Sequence, residues 1–276
     1  MLELVKALVQ GIIQGITEWL PISSTGHILL LDAVWPFTLS KDFFDLFKVV
    51  IQLGSILAVV VLYFRTLNPL APSKSSLEKK KTWSLWGKIA VASIPTGIAG
   101  VLFEDIIDSK LSVPWVIATT LIVYGVLFLV MESSSRKARF ETVEQISYKT
   151  AFLIGLFEAL ALIPGTSRSG ATILGAVLLG ASRTVSAEFS FFMAIPAMAG
   201  ASGFKLLKLV LSGTALSTTE WLAILVGTVV SFVVSMVVIR FLMQYIRRHD
   251  FKAFGYYRIV LGIAVLVCFF AGVLAV

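Results

Sequence analysis

One cysteine, Cys268, and two histidines, His27 and His249, are all that 276 residues contain of either type. A lone cysteine excludes a disulfide within the chain and a thiolate metal cluster. Two histidines exclude a histidine-rich zinc site. Charge is scarce, at 14% Asp, Glu, Lys and Arg, against about 25% in soluble domains. No loop ends in the Gly-Lys-Ser/Thr of a nucleotide-binding P-loop. The net charge of +7 comes without a basic stripe interleaved with aromatics, so nucleic acid is not an expected partner. The N-terminal apolar stretch is interrupted by Lys6, Gln10, Gln14 and Glu18 and lacks a small-residue cleavage site, which argues against a signal peptide. What remains is apolar. With 58% hydrophobic residues and a mean hydropathy of +0.94, the chain reads as an all-α integral membrane protein solvated by bilayer lipids.

Six runs have the length of about 20 residues that a bilayer crossing takes, near 43–65, 86–104, 113–131, 186–209, 221–246 and 256–275. Residues 2–34 and 150–180 differ: each holds two shorter apolar pieces broken by a polar loop, the pattern of a re-entrant helix-loop-helix pair. Basic loops carry Arg65, Lys74, Lys79, Lys80, Lys81 and Lys88, then Arg136, Lys137, Arg139 and Lys149, then Arg247, Arg248 and Lys252; Glu104, Asp105 and Asp108 lie between the first two. The positive-inside rule puts the basic loops in the cytoplasm and both termini outside.

The halves resemble each other. A shift of 144 aligns Gly11 with Gly155, Gln14 with Glu158, Ser23 with Ser167, Thr25 with Ser169 and Gly26 with Gly170; a shift of 143 aligns Pro21 with Pro164 and Asp45 with Glu188. The expectation is one membrane domain of two inverted repeats, about 1–135 and 145–276. Each repeat has one re-entrant pair and three spans, with a shared site where both loops meet near the midplane.

Those loops carry the chemistry. The first reads Pro21-Ile22-Ser23-Ser24-Thr25-Gly26-His27 after Gln14 and Glu18; the second reads Pro164-Gly165-Thr166-Ser167-Arg168-Ser169-Gly170-Ala171-Thr172 after Glu158. A charge at membrane depth costs about 2.5–3.5 kcal/mol even on a lenient scale, so packing alone does not account for Glu18 or Arg168. Gln14 and Glu18 share a helical face, and Pro21 is expected to end that helix. The hydroxyls of Ser23, Ser24 and Thr25 sit where the next helix needs its N-cap. Arg168 stands at another helix start, where free N–H groups favour anions, and its planar guanidinium matches two phosphate oxygens. Its resting partner is expected to be Glu18 or Glu158. Asp45 and Lys48 are spaced to pair with each other.

These motifs, together with Val50-Ile51-Gln52-Leu53-Gly54-Ser55 and Ala187-Glu188-Phe189-Ser190-Phe191, resemble those of the bacterial undecaprenyl-diphosphate phosphatases, the bacitracin-resistance family. The resemblance covers essentially the whole chain. It implies a membrane phosphatase that removes the terminal phosphate of a polyprenyl diphosphate lipid with a divalent cation, Mg²⁺ or Ca²⁺, and recycles the carrier for peptidoglycan and other cell-wall polymers. That role favours a site facing outward. Gln14 stands where the family accepts Gln or Glu, so it is not an essential base. The expected catalytic set is Glu18, Ser24, His27 and Arg168, with Glu18 also the first candidate metal ligand. Gln14, Ser23, Thr25, Gly26, Thr166, Ser167, Ser169, Gly170 and Thr172 are expected to bind substrate. Three nucleophiles stay open: Ser24 with Glu18 or His27 as base, His27 itself, and water. A homodimer is also open. The rival reading is a secondary transporter or lipid flippase with a midplane anion site, since transporters share this architecture; transport alone does not require an acid, an imidazole, a hydroxyl and a guanidinium together.

Overall fold

The computed structural model describes residues 1–134, 137–212 and 216–274. Arg136 and Ala275 fall outside them, and nothing is described of the side chains of Glu104, Asp105 and Asp108. Among the described residues the chain is helical, with one isolated bridge between Phe140 and Ala181. Two short helices, α1 (Leu2–Thr17) and α2 (Ser24–Val34), precede the long α3 (Lys41–Leu62), the single turn α4 (Phe64–Leu67), α5 (Ser76–Ile106) and α6 (Pro114–Ser133). A second short pair, α7 (Tyr148–Leu160) and α8 (Arg168–Leu178), precedes the long α9 (Arg183–Ser212), α10 (Thr218–Tyr245) and α11 (Lys252–Phe270). Six helices are long and apolar enough to cross a membrane; each overlaps one of the six runs read from the sequence, although the first ends at Leu62 rather than 65 and the last at Phe270 rather than 275.

Several boundaries differ from expectation. The second span begins at Ser76, ten residues before the expected 86, so Lys79, Lys80 and Lys81 lie on helix. The cause is a capping box: Glu78 accepts from the Ser75 N–H at 2.7 Å, and Ser75 Oγ accepts from the Glu78 N–H at 3.3 Å. Such a reciprocal pair starts a helix regardless of where the bilayer begins. Ser217 and Glu220 cap α10 in the same way. α1 ends at Thr17, short of Pro21, because residues 18–21 already turn, with the Ile22 N–H bonding the Leu20 carbonyl at 2.7 Å.

Helices associate here through small residues, as expected where lipid removes the hydrophobic drive. The buried face of α1 carries Ala7, Gly11, Gln14 and Gly15. A Cβ on Gly11 would stand 2.6 Å from the Gly227 carbonyl oxygen of α10, and one on Gly155 of α7 would collide with the Ala92 carbonyl of α5. The packing therefore recurs: α1 lies on α10 and α7 on α5, α2 touches α11 and α8 touches α6, α3 crosses α9, and α6 runs along α11. Behind the loops, Trp19, Phe189, Phe191 and Phe192 are fully buried. At the α1–α3–α10 contact the Ser55 and Ser231 hydroxyls are 2.7 Å apart, and Ser235 donates to Ser55 at 3.1 Å.

Gly155→Val is expected to destabilise the protein by about 1–3 kcal/mol, the usual cost of overpacking, because backbone is what the new methyls would strike. Nothing lies within 4 Å of a Cβ at Gly97, so Gly97→Ala should cost nothing. Thermal unfolding in detergent, followed by tryptophan fluorescence, checks both; equal midpoints for the valine variant and wild type would contradict the close contact.

Candidate functional site

Each loop is a helix end, a turn and a new helix start. Glu18 is the C-cap of α1, its N–H bonding the Gln14 carbonyl at 3.1 Å. Ser23 then takes φ +73° and caps α2, its Oγ accepting from the Gly26 N–H at 3.4 Å. The second loop repeats this: Ser167 takes φ +70° and accepts from the Gly170 N–H at 3.2 Å. Among the described residues these are the two non-glycine positions with positive φ. Each such conformation costs about 1–3 kcal/mol and persists where the surroundings enforce it. The capping expected of the first loop's hydroxyls belongs to Ser23, and Ser167 is its counterpart.

The loops are tied together from behind. Arg258 of α11, fully buried, donates from Nη1 to the Pro21 carbonyl at 3.1 Å and from Nη2 to the Gly165 and Thr166 carbonyls at 3.0 and 2.9 Å. Its guanidinium carbon lies 5.5 Å from the Tyr124 ring centre. Ser169 Oγ crosses between the loops to the Glu18 carbonyl at 3.0 Å, and Thr120 of α6 donates to the Pro164 carbonyl at 2.7 Å.

In front of the loops lies a cavity of about 230 Å³. Glu18, Ser24, Thr25, Ser167, Arg168 and Glu158 line it, with Gln52 of α3, Thr96 of α5, and Ala197, Met198 and Ala201 of α9. Ser24 Oγ donates to Glu18 Oε2 at 3.0 Å, and Gln14 Nε2 donates to the same oxygen at 3.0 Å. Arg168 Nη2 is 3.5 Å from Glu18 Oε1, so Glu18, one of the two expected partners, is the resting partner. Arg168 Nη1 donates to the Ser190 carbonyl at 2.8 Å, and Trp19 faces its guanidinium carbon at 5.8 Å. Nε and Nη2 make no hydrogen bond. Two guanidinium nitrogens thus remain for a ligand, at the first residue of α8, and a helix N-terminus favours an anion. A carboxylate holding a hydroxyl beside an anion-binding cation can activate that hydroxyl toward a bound phosphoryl group.

The structure does not bring His27 into this group. Its Nδ1 lies 2.7 Å from the Ser23 carbonyl, which makes Nδ1 the protonated nitrogen, and its Nε2 is 2.7 Å from the Tyr257 hydroxyl. The Tyr257 ring stacks on it at 5.6 Å. Both nitrogens are therefore engaged away from the cavity. Gln14, Ser23, Gly26, Thr166, Ser169, Gly170 and Thr172 also stand behind the cavity wall. Gln14 orients Glu18, Ser23 caps α2, and Thr172 Oγ1 donates to the Arg168 carbonyl at 2.8 Å while meeting Ser190 Oγ at 2.5 Å. Asp45 and Lys48 pair with each other at 2.8 Å. Arg258, Trp19 and Thr96 escaped the sequence reading. Arg258 had a usable signal, a lone guanidinium in the apolar run Tyr257-Arg258-Ile259-Val260; Thr96 had none.

A hard divalent cation takes oxygen ligands, and Mg²⁺ in particular uses one or two carboxylates plus phosphate oxygens. The cavity's carboxylates and hydroxyls fit that preference, and Glu158 Oε1 is a buried oxygen without a partner. Among the described residues there is no cluster of three or more His, Cys, Asp or Glu, so a dedicated all-protein cage is not what the cavity offers. A larger cavity of about 840 Å³ lies among Lys137, Arg139, Glu141, Arg183 and Arg247. None of the motif residues reaches it, and size alone gives it no claim to the chemistry.

A family model described as bacitracin resistance protein BacA matches residues 7–264. A Clostridioides difficile (strain 630) protein named Undecaprenyl-diphosphatase 1 is 56% identical over 270 residues, covering 98% of this chain and 97% of its own. Proteins named Undecaprenyl-diphosphatase from Limosilactobacillus fermentum and Enterococcus faecalis are each 54% identical, covering 98% and 96% of this chain and 98% and 97% of theirs.

Arg258→Lys is expected to lower thermal stability in detergent. Lysine keeps the charge, but one ammonium cannot replace a fork that meets carbonyls of both loops. Each abandoned buried carbonyl costs about 1–3 kcal/mol, and the midpoint should fall by roughly 2–4 °C per kcal/mol. An unchanged midpoint would mean that the loops do not depend on this tie.

Proposed function

The chain belongs to the bacitracin resistance protein BacA family, and on that premise we propose that it hydrolyses undecaprenyl diphosphate to undecaprenyl phosphate and inorganic phosphate, recycling the lipid carrier and conferring bacitracin resistance. The observation that carries this reading is the convergence of Ser24, Glu18 and Arg168 on one cavity, with Ser24 3.0 Å from the carboxylate and Arg168 3.5 Å from its other oxygen. The relatives' names favour hydrolysis over the transporter reading, and a hydroxyl hydrogen-bonded to a carboxylate is more than anion passage needs.

In the proposed mechanism the diphosphate enters the cavity while its polyprenyl tail leaves past Ala197 and Ala201 toward lipid. Arg168 turns from Glu18 to grip the terminal phosphoryl oxygens, joined by N–H groups at the start of α8. This frees Glu18 to take the Ser24 proton as Ser24 Oγ attacks the terminal phosphorus in line. The bond to the bridging oxygen breaks and undecaprenyl phosphate departs. Glu18 passes its proton to solvent, then takes one from a water that attacks the seryl phosphorus, and returns it to Ser24 Oγ as the bond from phosphorus to that oxygen breaks and phosphate departs. The engaged nitrogens of His27 support Ser24 over His27 as nucleophile, with His27 holding the Ser23 turn. Electrostatic stabilisation and positioning carry most of such a reaction. Mg²⁺ or Ca²⁺, held by Glu18 and phosphate oxygens, would supply further neutralisation of the charge on the diphosphate.

We also propose that α1–α2 and α7–α8 are re-entrant pairs of two inverted repeats in one membrane domain, with both termini outside. The matched serines at positive φ and the recurrent helix pairings support this, as do three spans in each half, an odd number that reverses orientation.

Purified protein should release phosphate from undecaprenyl diphosphate, and Arg168→Lys should lose at least about a hundredfold in kcat while still inserting and folding. Chiral thiophosphate analogues should give net retention at phosphorus, the outcome of two in-line displacements. No phosphate release would end the hydrolytic reading; inversion would leave hydrolysis standing and remove Ser24 as nucleophile.

Orientation is open to cysteine labelling in a Cys268→Ser background. Cysteines at Lys80 and Lys137 should react from the cytoplasmic side and one at Ser112 from outside. Labelling of all three from one side would overturn the inverted arrangement.

A further inference from the structure

The strongest feature left unused by that mechanism is Glu158. It sits on α7, is 1% exposed, and lines the same cavity as Glu18, Ser24 and Arg168. Its Oε2 accepts from Thr96 Oγ1 at 3.1 Å, whereas Oε1 has no hydrogen-bond partner. Among the described residues lining the cavity, Arg168 is the one cation, and Glu18 already pairs with it. The cavity thus holds two carboxylates and one guanidinium, with one carboxylate oxygen wholly unmet. An isolated carboxylate in a dry site is strongly disfavoured unless something neutralises it. A buried oxygen of this kind calls for a donor or a cation.

Repeat position sharpens the point. Gln14 is the counterpart of Glu158 in the first half, and its amide donates to Glu18. An amide there supports a neighbouring carboxylate; a carboxylate in the second half offers a new ligand instead. We propose that Glu158 is a second carboxylate ligand of the divalent cation, sharing it with Glu18 and with the phosphate oxygens of the diphosphate. Two carboxylates completed by phosphate oxygens and water make a donor set suited to Mg²⁺ or Mn²⁺. The Thr96 hydroxyl, by bonding Oε2, leaves Oε1 as the coordinating atom and fixes its direction, as partners outside the ligand shell commonly do. Thr96 is a positioning residue for this ligand. The inference rests on the phosphatase reading only for the diphosphate oxygens; the metal and its protein ligands are testable without turnover.

The experiment measures Mn²⁺ binding to detergent-purified full-length protein by electron paramagnetic resonance, with and without inorganic diphosphate. Wild type, Glu158→Gln, Glu158→Asp and Thr96→Val are compared, and each variant's thermal midpoint is recorded. Glu158→Gln, which keeps size and the bond to Thr96, should weaken Mn²⁺ binding at least about tenfold, since even loss of an outer partner costs that much. Glu158→Asp should bind better than the glutamine variant, and Thr96→Val should be intermediate between wild type and glutamine. Affinities for wild type and Glu158→Gln within about twofold of each other would overturn the assignment and leave Glu158 as a protonated hydrogen-bond donor. Wild type that binds no Mn²⁺ even with diphosphate would overturn it too. Phosphate release from undecaprenyl diphosphate is scored separately. Turnover without Glu158-dependent metal binding defeats this inference alone; Glu158-dependent metal binding without turnover defeats the hydrolytic reading alone.

Discussion

Unwound chain that is buried away from water survives only if its carbonyls find donors. In this protein one guanidinium answers for both loops. Arg258 takes the Pro21 carbonyl from the first and the Gly165 and Thr166 carbonyls from the second, so neither loop's backbone is satisfied independently of the other. That coupling sets the spacing of everything in front of it. With Pro21 and Gly165 fixed to one planar group, Glu18 three residues before the first and Arg168 three residues after the second come to face each other across 3.5 Å. A lysine at position 258 would offer one nitrogen and no fixed angle between the loops.

The same division between supporting and exposed groups runs through the site. Ser23 and Ser167 spend their hydroxyls on capping, at a cost in backbone strain. That strain turns the next residue, Ser24 in one loop and Arg168 in the other, into the cavity. Thr172, Ser169 and Gln14 hydrogen-bond to backbone or to Glu18 and make no approach to the open space. A wall so heavily cross-linked holds its few forward-facing groups rigidly, which is what electrostatic stabilisation of a phosphoryl group requires.

Sequence made part of this plain and left part hidden, for physical reasons. The six long helices followed from length and apolarity, and an acidic partner for Arg168, Glu18 or Glu158, followed from the cost of leaving a charge alone in lipid; the choice of Glu18 came from the packing. The early start of α5 was written in Ser75 and Glu78 but is a local rule that bilayer thickness masks. Placement of His27 was not legible. Three residues beyond Ser24 it lies one turn along α2, and its ring direction is decided by Tyr257, which is 230 positions away. Thr96 reaches Glu158 across 62 positions, from a helix whose pairing with α7 only the tertiary packing reveals. Arg258 obeyed the rule that marked Glu18 and Arg168, yet its partners are backbone carbonyls, which leave no residue type to read.

In the proposed mechanism the two halves use similar scaffolds for unlike tasks. Ser24 and Arg168 are each the first residue of a short helix, directly after a capping serine at positive φ; Gln14 and Glu158 each stand near the end of the helix before. One half therefore presents a hydroxyl and an amide where the other presents a guanidinium and a carboxylate. A strictly symmetric site would fail either way. Two serines would leave the phosphoryl charge without a clamp, and two arginines would bind the anion with nothing to attack it. The proposed substrate is itself unsymmetrical, with one phosphorus to be attacked and one oxygen to depart attached to the lipid. On the proposed reading, the two halves offer two similarly capped helix starts, and the difference in the first side chain of each would assign attack to one and charge stabilisation to the other.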